Sequence, residues 1–372
     1  MHSILIIGAR SSGKTSFLNF LKTSLALPPR KRGPKPTDLV DDIFAPTNSK
    51  SGNFESHYLE TEIDGERIGL TLWDSEGLDK NVVDLQLREM SSFLESKFEE
   101  TFTEEMKVVR APGVQDTHIH CAFLLLDPVR LDRNIAEAAR APNSNGNGVH
   151  AKYLSGPRIV GGLDEDLDLQ VLRTLQGKTT VVPVISKADT ITSAHMAHLK
   201  KTVWDSLRKA NLDPLEGLGL DELENEGSNS SRIDERDEDI SETSSTNSTP
   251  KNDSLSENGN RTTSPSSKSL SPNSVRRRSS LKVADGPASS ADSAELPYLP
   301  LSVISPDMYE PNVIGRKFPW GFADPMNEQH CDFIKLKEAV FTDWRGELRE
   351  ASRDLWYEGW RTSRLKHRET RR

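Results

Sequence analysis

The chain contains 372 residues, with 57 acidic against 48 basic side chains and a formal net charge of −9. This balance disfavours a protein that depends on overall attraction to a polyanion, so no nucleic-acid partner is expected. The two cysteines, Cys121 and Cys331, exclude a disulfide framework, and their spacing is not that of a zinc site. The low cysteine content favours a reducing compartment, and we expect a cytoplasmic protein. No apolar run approaches the roughly 20 residues of a membrane-spanning helix.

Short apolar runs alternate with amphipathic stretches, a pattern that indicates an α/β fold with a mostly parallel sheet and helices on both faces. The runs at 122–126 and 180–185 are almost continuously apolar, which is typical of strands covered on both faces. Asp64 and Gly65, in the middle of 61–73, predict a hairpin with a type I′ turn. The predicted strands are 4–7, 58–63, 68–73, 122–126, 180–185 and 301–304, and the predicted helices are 14–25, 83–105, 167–175, 194–210 and 333–357.

Residues 224–296 differ in composition from the rest of the chain, since Ser, Asn, Asp, Glu and Thr dominate them and aromatic residues are almost absent. Such a segment buries too little apolar surface to offset its chain entropy. We predict that 1–223 and 297–372 form one domain and that 224–296 is a disordered insertion. We interpret this segment as a solvated spacer. The alternative is a segment regulated by phosphorylation, because Ser279 and Ser280 follow three arginines.

A glycine-rich loop follows the first predicted strand, with the sequence GARSSGKT at 8–15. It matches the pattern GxxxxGK[ST], in which successive backbone N–H groups surround a phosphate at the start of a helix. In this pattern Lys14 reaches the β and γ phosphates, and the Thr15 hydroxyl ligates Mg²⁺. The predicted phosphate-binding residues are Gly8, Ala9, Arg10, Ser11, Ser12, Gly13, Lys14 and Thr15.

Asp74 and Gly77 form a second candidate element, directly after the predicted strand 68–73. A carboxylate at this position can hold Mg²⁺, and the Gly77 N–H can face the γ phosphate of a nucleotide. The sequence therefore predicts Thr15 and Asp74 as metal ligands, and Gly77 as part of the nucleotide site.

Lys187, Ala188 and Asp189 follow the apolar run 181–185, at the carboxyl edge of the predicted sheet, where α/β folds place ligands. An ionised carboxylate such as that of Asp189 only accepts hydrogen bonds. Guanine offers it a pair of donors, N1–H and the N2 amino group, whereas adenine has no such pair. We interpret this Lys-x-Asp pattern as a guanine-recognition element, which points to GTP or GDP as the ligand.

With these three motifs in order, the chain resembles the septins. The resemblance extends beyond the nucleotide motifs to IGRKFPWGFADPMNEQHCDFIKLKEAVF at 314–341, to LWYEGWRTSRL at 355–365 and to FLESKFEETFTEE at 93–105. It implies a phosphate-loop NTPase fold of the G-domain type with septin-like C-terminal elements. The resemblance also implies that Arg316 matches the septin arginine that stacks near the base.

The resemblance further implies binding of GTP or GDP with Mg²⁺. It also implies assembly with other septin subunits, through two faces of which one lies across the nucleotide, into cytoskeletal filaments or scaffolds. The implied location is the cytoskeleton, at the cell cortex or the division site. Cell division is the process that the resemblance suggests.

Several positions depart from the septin pattern. Septins usually read Asp-Thr-Pro-Gly where this chain has Asp-Ser-Glu-Gly at 74–77, so the Glu76 carboxylate lies close to the expected γ phosphate. Asn53 stands where hydrolysing septins present a threonine, and Gly161 replaces a histidine that reaches across the nucleotide face. We therefore expect GTP hydrolysis to be slow or absent, and we assign no catalytic residue.

Two alternatives to an assembly subunit stay open at this point, namely an active GTPase and an ATP-dependent kinase or ATPase with a phosphate loop. A separate question concerns the basic residues Arg30, Lys31 and Arg32. They belong either to a solvated loop or to a surface that contacts anionic lipid headgroups.

Overall fold

The computed structural model describes residues 2–27, 50–51, 53–63, 65–107, 116–140, 158–218, 298–307, 309–310 and 313–369. The basic residues Arg30, Lys31 and Arg32 and the predicted insertion 224–296 lie outside these ranges. In the part of the chain that the structure describes, no helix combines the length and the apolar character needed to span a bilayer.

A seven-stranded sheet forms the centre of the described structure, in the order β2-β3-β4-β1-β5-β8-β9. Strands β4, β1, β5, β8 and β9 run parallel, and β2 and β3 are antiparallel additions at one edge. The predicted α/β class with a mostly parallel sheet is thus confirmed. The strands of this sheet are β1 (His2–Gly8), β2 (Lys50–Ser51), β3 (Phe54–Ile63), β4 (Glu66–Ser75), β5 (Cys121–Leu126), β8 (Thr180–Ile185) and β9 (Leu301–Ser302).

Two short hairpins lie outside the main sheet. One joins β6 (Ile159–Val160) to β7 (Leu163–Asp164), and the other joins β10 (Arg316–Phe318) to β11 (Gly321–Ala323). Neither was predicted, because two or three residues per strand carry no measurable alternation of apolar and polar side chains.

The helices are α1 (Lys14–Leu25), α2 (Val83–Glu105), α3 (Pro128–Arg140), α4 (Gln170–Leu175), α5 (Ser193–Lys209), α6 (Phe333–Glu338), α7 (Arg345–Glu350) and α8 (Glu358–Glu369). Helix α3 was missed because it buries only Pro128, Leu131 and Asn134. The single helix predicted at 333–357 was wrong in detail, since the backbone breaks at Trp344 and wide turns at 339–343 and 351–357 separate α6, α7 and α8.

The core fixes the start of α1, where the phosphate loop ends. Phe17 packs edge-on against Phe123 of β5 at 5.6 Å between ring centroids, and Phe20 contacts Phe333 of α6 at 4.4 Å. Full burial of such side chains stabilises a fold by about 1.5–3 kcal/mol each. Helix α1 is therefore held by the sheet on one side and by the C-terminal part of the chain on the other.

Candidate nucleotide-binding site

The phosphate loop leaves the carboxyl end of β1 in a tight turn. A Cβ atom on Gly8 would lie only 2.7 Å from the carbonyl oxygen of Leu125, so the loop needs glycine there. Ser11 and Gly13 adopt left-handed conformations, with φ of 63° and 92°. These turns curl the backbone around the first residues of α1, and the Ser12 hydroxyl is buried with no hydrogen-bond partner in the described structure. The loop thus has the shape that anion binding requires.

Lys14 lies inside this loop with 8% of its surface exposed. Its Nζ donates hydrogen bonds to the carbonyl oxygens of Gly8 and Ala9, each at 3.1 Å. Burial lowers the pKa of the Lys14 ammonium, against the opposite effect of the carboxylates of Asp74 and Glu76. A buried cation with only carbonyl partners is a strong attractor for a phosphate group.

Asp74 lies at the carboxyl end of β4, in register with Ile6 of β1. Burial raises the pKa of its carboxyl group, although Lys14 and His57 act in the other direction. Its Oδ1 atom is buried without a hydrogen-bond partner. Thr15, the other predicted metal ligand, is exposed in the first turn of α1. An unpartnered carboxylate oxygen fits Mg²⁺, which proteins usually hold with one or two carboxylates together with substrate phosphates and water.

The residues after Asp74 pair with the phosphate loop, a contact that no sequence motif marks. The N–H of Leu78 donates to the Gly8 carbonyl oxygen, and the N–H of Arg10 donates to the Leu78 carbonyl oxygen, both at 3.1 Å. Gln86 of α2 supports this segment, since its Nε2 donates to the Gly77 carbonyl oxygen at 3.2 Å and its Oε1 accepts from the Asp79 N–H at 2.9 Å. Leu78 and Gln86 therefore belong to the site, although sequence reasoning missed both.

Lys187 joins the segment after β8 to the phosphate loop. It takes a left-handed conformation with φ of 54°, and its Nζ donates to the Ser11 carbonyl oxygen and to Asp127, both at 2.9 Å. The adjacent Ala188 is buried, and its N–H donates to the Val303 carbonyl oxygen at 3.0 Å. The segment that carries Asp189 is thus fixed relative to the loop.

Asp189 is an enclosed acidic group in the segment after β8. Its side chain is 1% exposed, and Oδ2 accepts a hydrogen bond from Nη1 of Arg316 at 2.7 Å. Oδ1 of Asp189 and Nε of Arg316 are both buried without a partner in the described structure. A cavity of about 370 Å³ adjoins the pair and is lined by Asp189, Thr192, Ile304, Phe318 and Trp320, among others. Arg316 therefore contacts the carboxylate, and its stacking on a base stays a prediction.

The septin family model matches residues 1–137, 133–240 and 291–372, which is most of the chain. This chain belongs to the septin family. Among curated septins, Septin-2A of Xenopus laevis is 23% identical over 366 residues, covering 98% of this chain and 75% of that protein. Cell division control protein 11 of Saccharomyces cerevisiae is 21% identical over 374 residues, covering 98% of this chain and 66% of that protein. The resemblance inferred from the sequence is confirmed.

Solved septin structures are also similar to this chain. The septin GTPase domain from Chlamydomonas reinhardtii has 14% sequence identity and a TM-score of 0.45, with 97% of this septin and 98% of that chain covered. Cdc11 from Saccharomyces cerevisiae has 16% identity and a TM-score of 0.33, with 57% of this septin and 63% of that chain covered.

Gly161 stands where we expect the septin histidine, and the structure gives a reason for a glycine there. Its φ is +65°, and a Cβ atom at this position would lie 2.2 Å from the Ser206 hydroxyl. That hydroxyl accepts a hydrogen bond from the Gly162 N–H at 3.0 Å and donates to the Thr202 carbonyl oxygen. Helix α5 therefore occupies the space that any larger side chain would need.

Asn53 also departs from the septin pattern, and its side chain does not stand free. Its Nδ2 donates to the Glu89 carboxylate of α2 at 2.8 Å. The bond ties the residue before β3 to the helix that follows the second motif. The amide at the position where we expect the septin threonine is therefore engaged by a neighbouring side chain.

Proposed function

We propose that this septin binds a guanine nucleotide with Mg²⁺ and acts as an assembly subunit, with GTP hydrolysis slow or absent. The observation that carries the nucleotide proposal is the buried, unpartnered Oδ1 atom of Asp189 at the carboxyl end of β8. A buried polar atom without a partner costs about 1–3 kcal/mol, and more when charged. Donors from the guanine edge would satisfy it, whereas adenine has no matching donor pair.

The phosphate end of the nucleotide would lie in the loop 8–15. The backbone N–H groups there and the Lys14 ammonium would hold the phosphates, while Thr15 and Asp74 would hold Mg²⁺. When bound, Mg²⁺ supplies charge neutralisation between phosphate oxygens. The unpartnered Ser12 hydroxyl and Asp74 Oδ1 support this placement, because both are buried polar atoms that a ligand can satisfy.

Two side-chain amides among the described residues support slow hydrolysis. Hydrolysing GTP-binding proteins orient the attacking water with a side chain such as glutamine. Here the Gln86 amide is bonded at both ends to backbone atoms, and the Asn53 amide is bonded to Glu89. Gln86 is therefore not available to position a water molecule, and the amide donor of Asn53 is already used by Glu89.

A competition titration tests the nucleotide proposal against the ATP-dependent alternative. The purified full chain is loaded with fluorescent GDP in Mg²⁺ and challenged with unlabelled GDP or ADP. We expect GDP to displace the probe at concentrations about 100-fold lower than ADP, equivalent to about 2.7 kcal/mol. Equal displacement by ADP would support a kinase or ATPase and would overturn the guanine assignment.

The β10–β11 hairpin provides the surface for the proposed assembly. Trp320 at its tip is 83% exposed, and its ring stacks on that of Phe318 at 5.3 Å between centroids. Phe322 adds a further exposed aromatic ring beside the cavity next to Asp189. Exposed aromatic clusters of this kind are typical of protein interfaces. We propose another septin subunit as the partner and the cytoskeleton as the location; contact of Arg30, Lys31 and Arg32 with anionic lipid stays a prediction.

Replacing Trp320 by alanine is expected to weaken association through this face. The substitution removes a largely exposed ring, so the fold should be unaffected while the apparent dissociation constant rises about 10-fold or more, as for an interface hot spot. Sedimentation velocity with a septin partner, or with the chain alone over a range of concentrations, measures the change. Met106→Ala is the matched control, because Met106 is 66% exposed at the end of α2. Equal association of both variants would remove the hairpin from the interface.

A further inference from the structure

We infer that the phosphate loop of this septin accepts a nucleoside diphosphate and excludes the triphosphate, because the Gly77–Leu78 segment closes the loop on the γ side. This inference rests on the proposed function and deepens it. The terminal phosphate of a triphosphate must lie beyond the β phosphate, between the start of the phosphate loop and the glycine of the second motif.

Backbone hydrogen bonds join the two segments that would have to flank a γ phosphate. Leu78 bonds to Gly8 through its N–H and to Arg10 through its carbonyl oxygen, in the pattern of a short parallel bridge with Ala9. The Arg10 N–H is thereby used within the protein. A triphosphate would have to break this pairing, and each broken hydrogen bond that is not replaced costs about 0.5–1.5 kcal/mol.

Gly77 itself lies against the loop. A Cβ atom built on it would be 2.9 Å from Cα of Arg10 and 3.2 Å from Nζ of Lys14. Gly77 therefore packs directly against the Arg10 backbone and the Lys14 ammonium, with no room for a further group along that direction.

Side chains from neighbouring elements hold this segment in place. Gln86 bonds to the backbone on both sides of Leu78, as described above. Lys80 forms an ion pair with Asp164 of β7, whose side chain is fully buried. Gln170 donates to the Asp84 carboxylate at 2.6 Å. Displacement of the Gly77–Leu78 segment would strain contacts with two other elements, so closure is built into the fold.

Glu76 adds a separate electrostatic effect. It is exposed next to Gly77, and its carboxylate is close enough to Lys14 to raise the pKa of the ammonium. A second negative charge near a γ phosphate disfavours the triphosphate by repulsion. Closure and repulsion predict different responses to substitution, which allows an experiment to separate them.

The test measures the affinities of the full chain for GDP and for GTPγS, a slowly hydrolysed triphosphate, by titration calorimetry in Mg²⁺. The wild-type chain is compared with Gln86→Ala, which releases the segment, and with Glu76→Gln, which removes the charge but keeps the size. Gln176→Ala is the matched control, since Gln176 lies on the surface, where it donates to Glu216 at 3.4 Å. Amide hydrogen exchange of the peptide that contains Leu78 provides a readout that needs no variant.

We expect the wild-type chain and Gln176→Ala to bind GDP about 30-fold or more tightly than GTPγS. In Gln86→Ala the ratio of the GTPγS dissociation constant to the GDP dissociation constant should be about five times smaller than in the wild-type chain. The Leu78 amide should exchange slowly with GDP and stay slow in excess GTPγS. Equal affinities of the wild-type chain for GDP and GTPγS, or faster exchange of the Leu78 amide with GTPγS, would overturn the exclusion of the triphosphate. Neither result would affect the proposed binding of guanine nucleotide. Closure would also be overturned, in favour of repulsion, if Glu76→Gln bound GDP and GTPγS equally while Gln86→Ala kept the wild-type preference for GDP. Binding of neither nucleotide would refute the proposed function itself.

Discussion

Substitution of Asp189 by asparagine is expected to turn a guanine site into a xanthine site. The Asp189 carboxylate accepts hydrogen bonds from the guanine N1–H and N2 amino groups in our proposal. Xanthine carries a carbonyl oxygen at C2 in place of the amino group, so the asparagine amide can accept from N1–H and donate to that oxygen. Loss of a buried charge-assisted hydrogen bond costs about 1.5–3 kcal/mol, which predicts that GDP affinity falls about 10- to 100-fold while xanthosine diphosphate gains.

The measurement is a titration of the wild-type chain and of Asp189→Asn with GDP and with xanthosine diphosphate. Asp132→Asn serves as the control, because Asp132 is a partly exposed acidic residue whose partner is His195 rather than Arg316. The loss of the ion pair with Arg316 in Asp189→Asn is an added cost, which a thermal unfolding curve would register separately. If Asp189→Asn still preferred GDP over xanthosine diphosphate, Asp189 would not read the base.

Removal of the Lys14 charge is expected to abolish nucleotide retention. Lys14 is buried between Gly8 and Ala9, where no carboxylate forms an ion pair with it in the described structure, so its charge is available for phosphate. Lys14→Met keeps the apolar stem and removes the ammonium. Burial lowers the pKa of this group, so the variant should also lose a desolvation cost and fold at least as well as the wild-type chain.

Chromatography of nucleotide released from the purified Lys14→Met variant tests this expectation. We expect affinity for GDP to fall about 100-fold or more, since a buried charge-assisted contact to phosphate is lost. Lys201→Met, on the exposed face of α5, is the control. Nucleotide retained by Lys14→Met at the wild-type level would remove Lys14 from the site.

Much of the fold could be predicted because the relevant signals are local. The predicted bounds of α1, α2 and β8 agree with the structure, since glycine-lysine chemistry fixes one helix start and continuous apolar runs mark buried strands. Ligands bind at the carboxyl ends of parallel strands in folds of this class. On that basis Lys14, Asp74 and Asp189 are expected at one edge of the sheet. These residues do lie at that edge in the structure.

The features that the sequence did not predict depend on contacts between segments far apart in the chain. The pairing of Leu78 with the phosphate loop uses backbone atoms alone, so the identity of the side chain carries no signal. Gln86 resembles any polar residue on an amphipathic helix. Gly161 could be seen to differ from septins, but its cause, the Ser206 hydroxyl of α5, became visible only through the three-dimensional arrangement.

We propose that this septin holds a guanine nucleotide at the edge formed by the phosphate loop and Asp189. The most direct measurement is to purify the full chain in Mg²⁺, denature it and identify the released nucleotide by ion-exchange chromatography against known amounts of protein. We predict about one guanine nucleotide per chain, with GDP in excess over GTP. Release of an adenine nucleotide, or a folded chain that releases none and takes up no added GDP, would contradict the account.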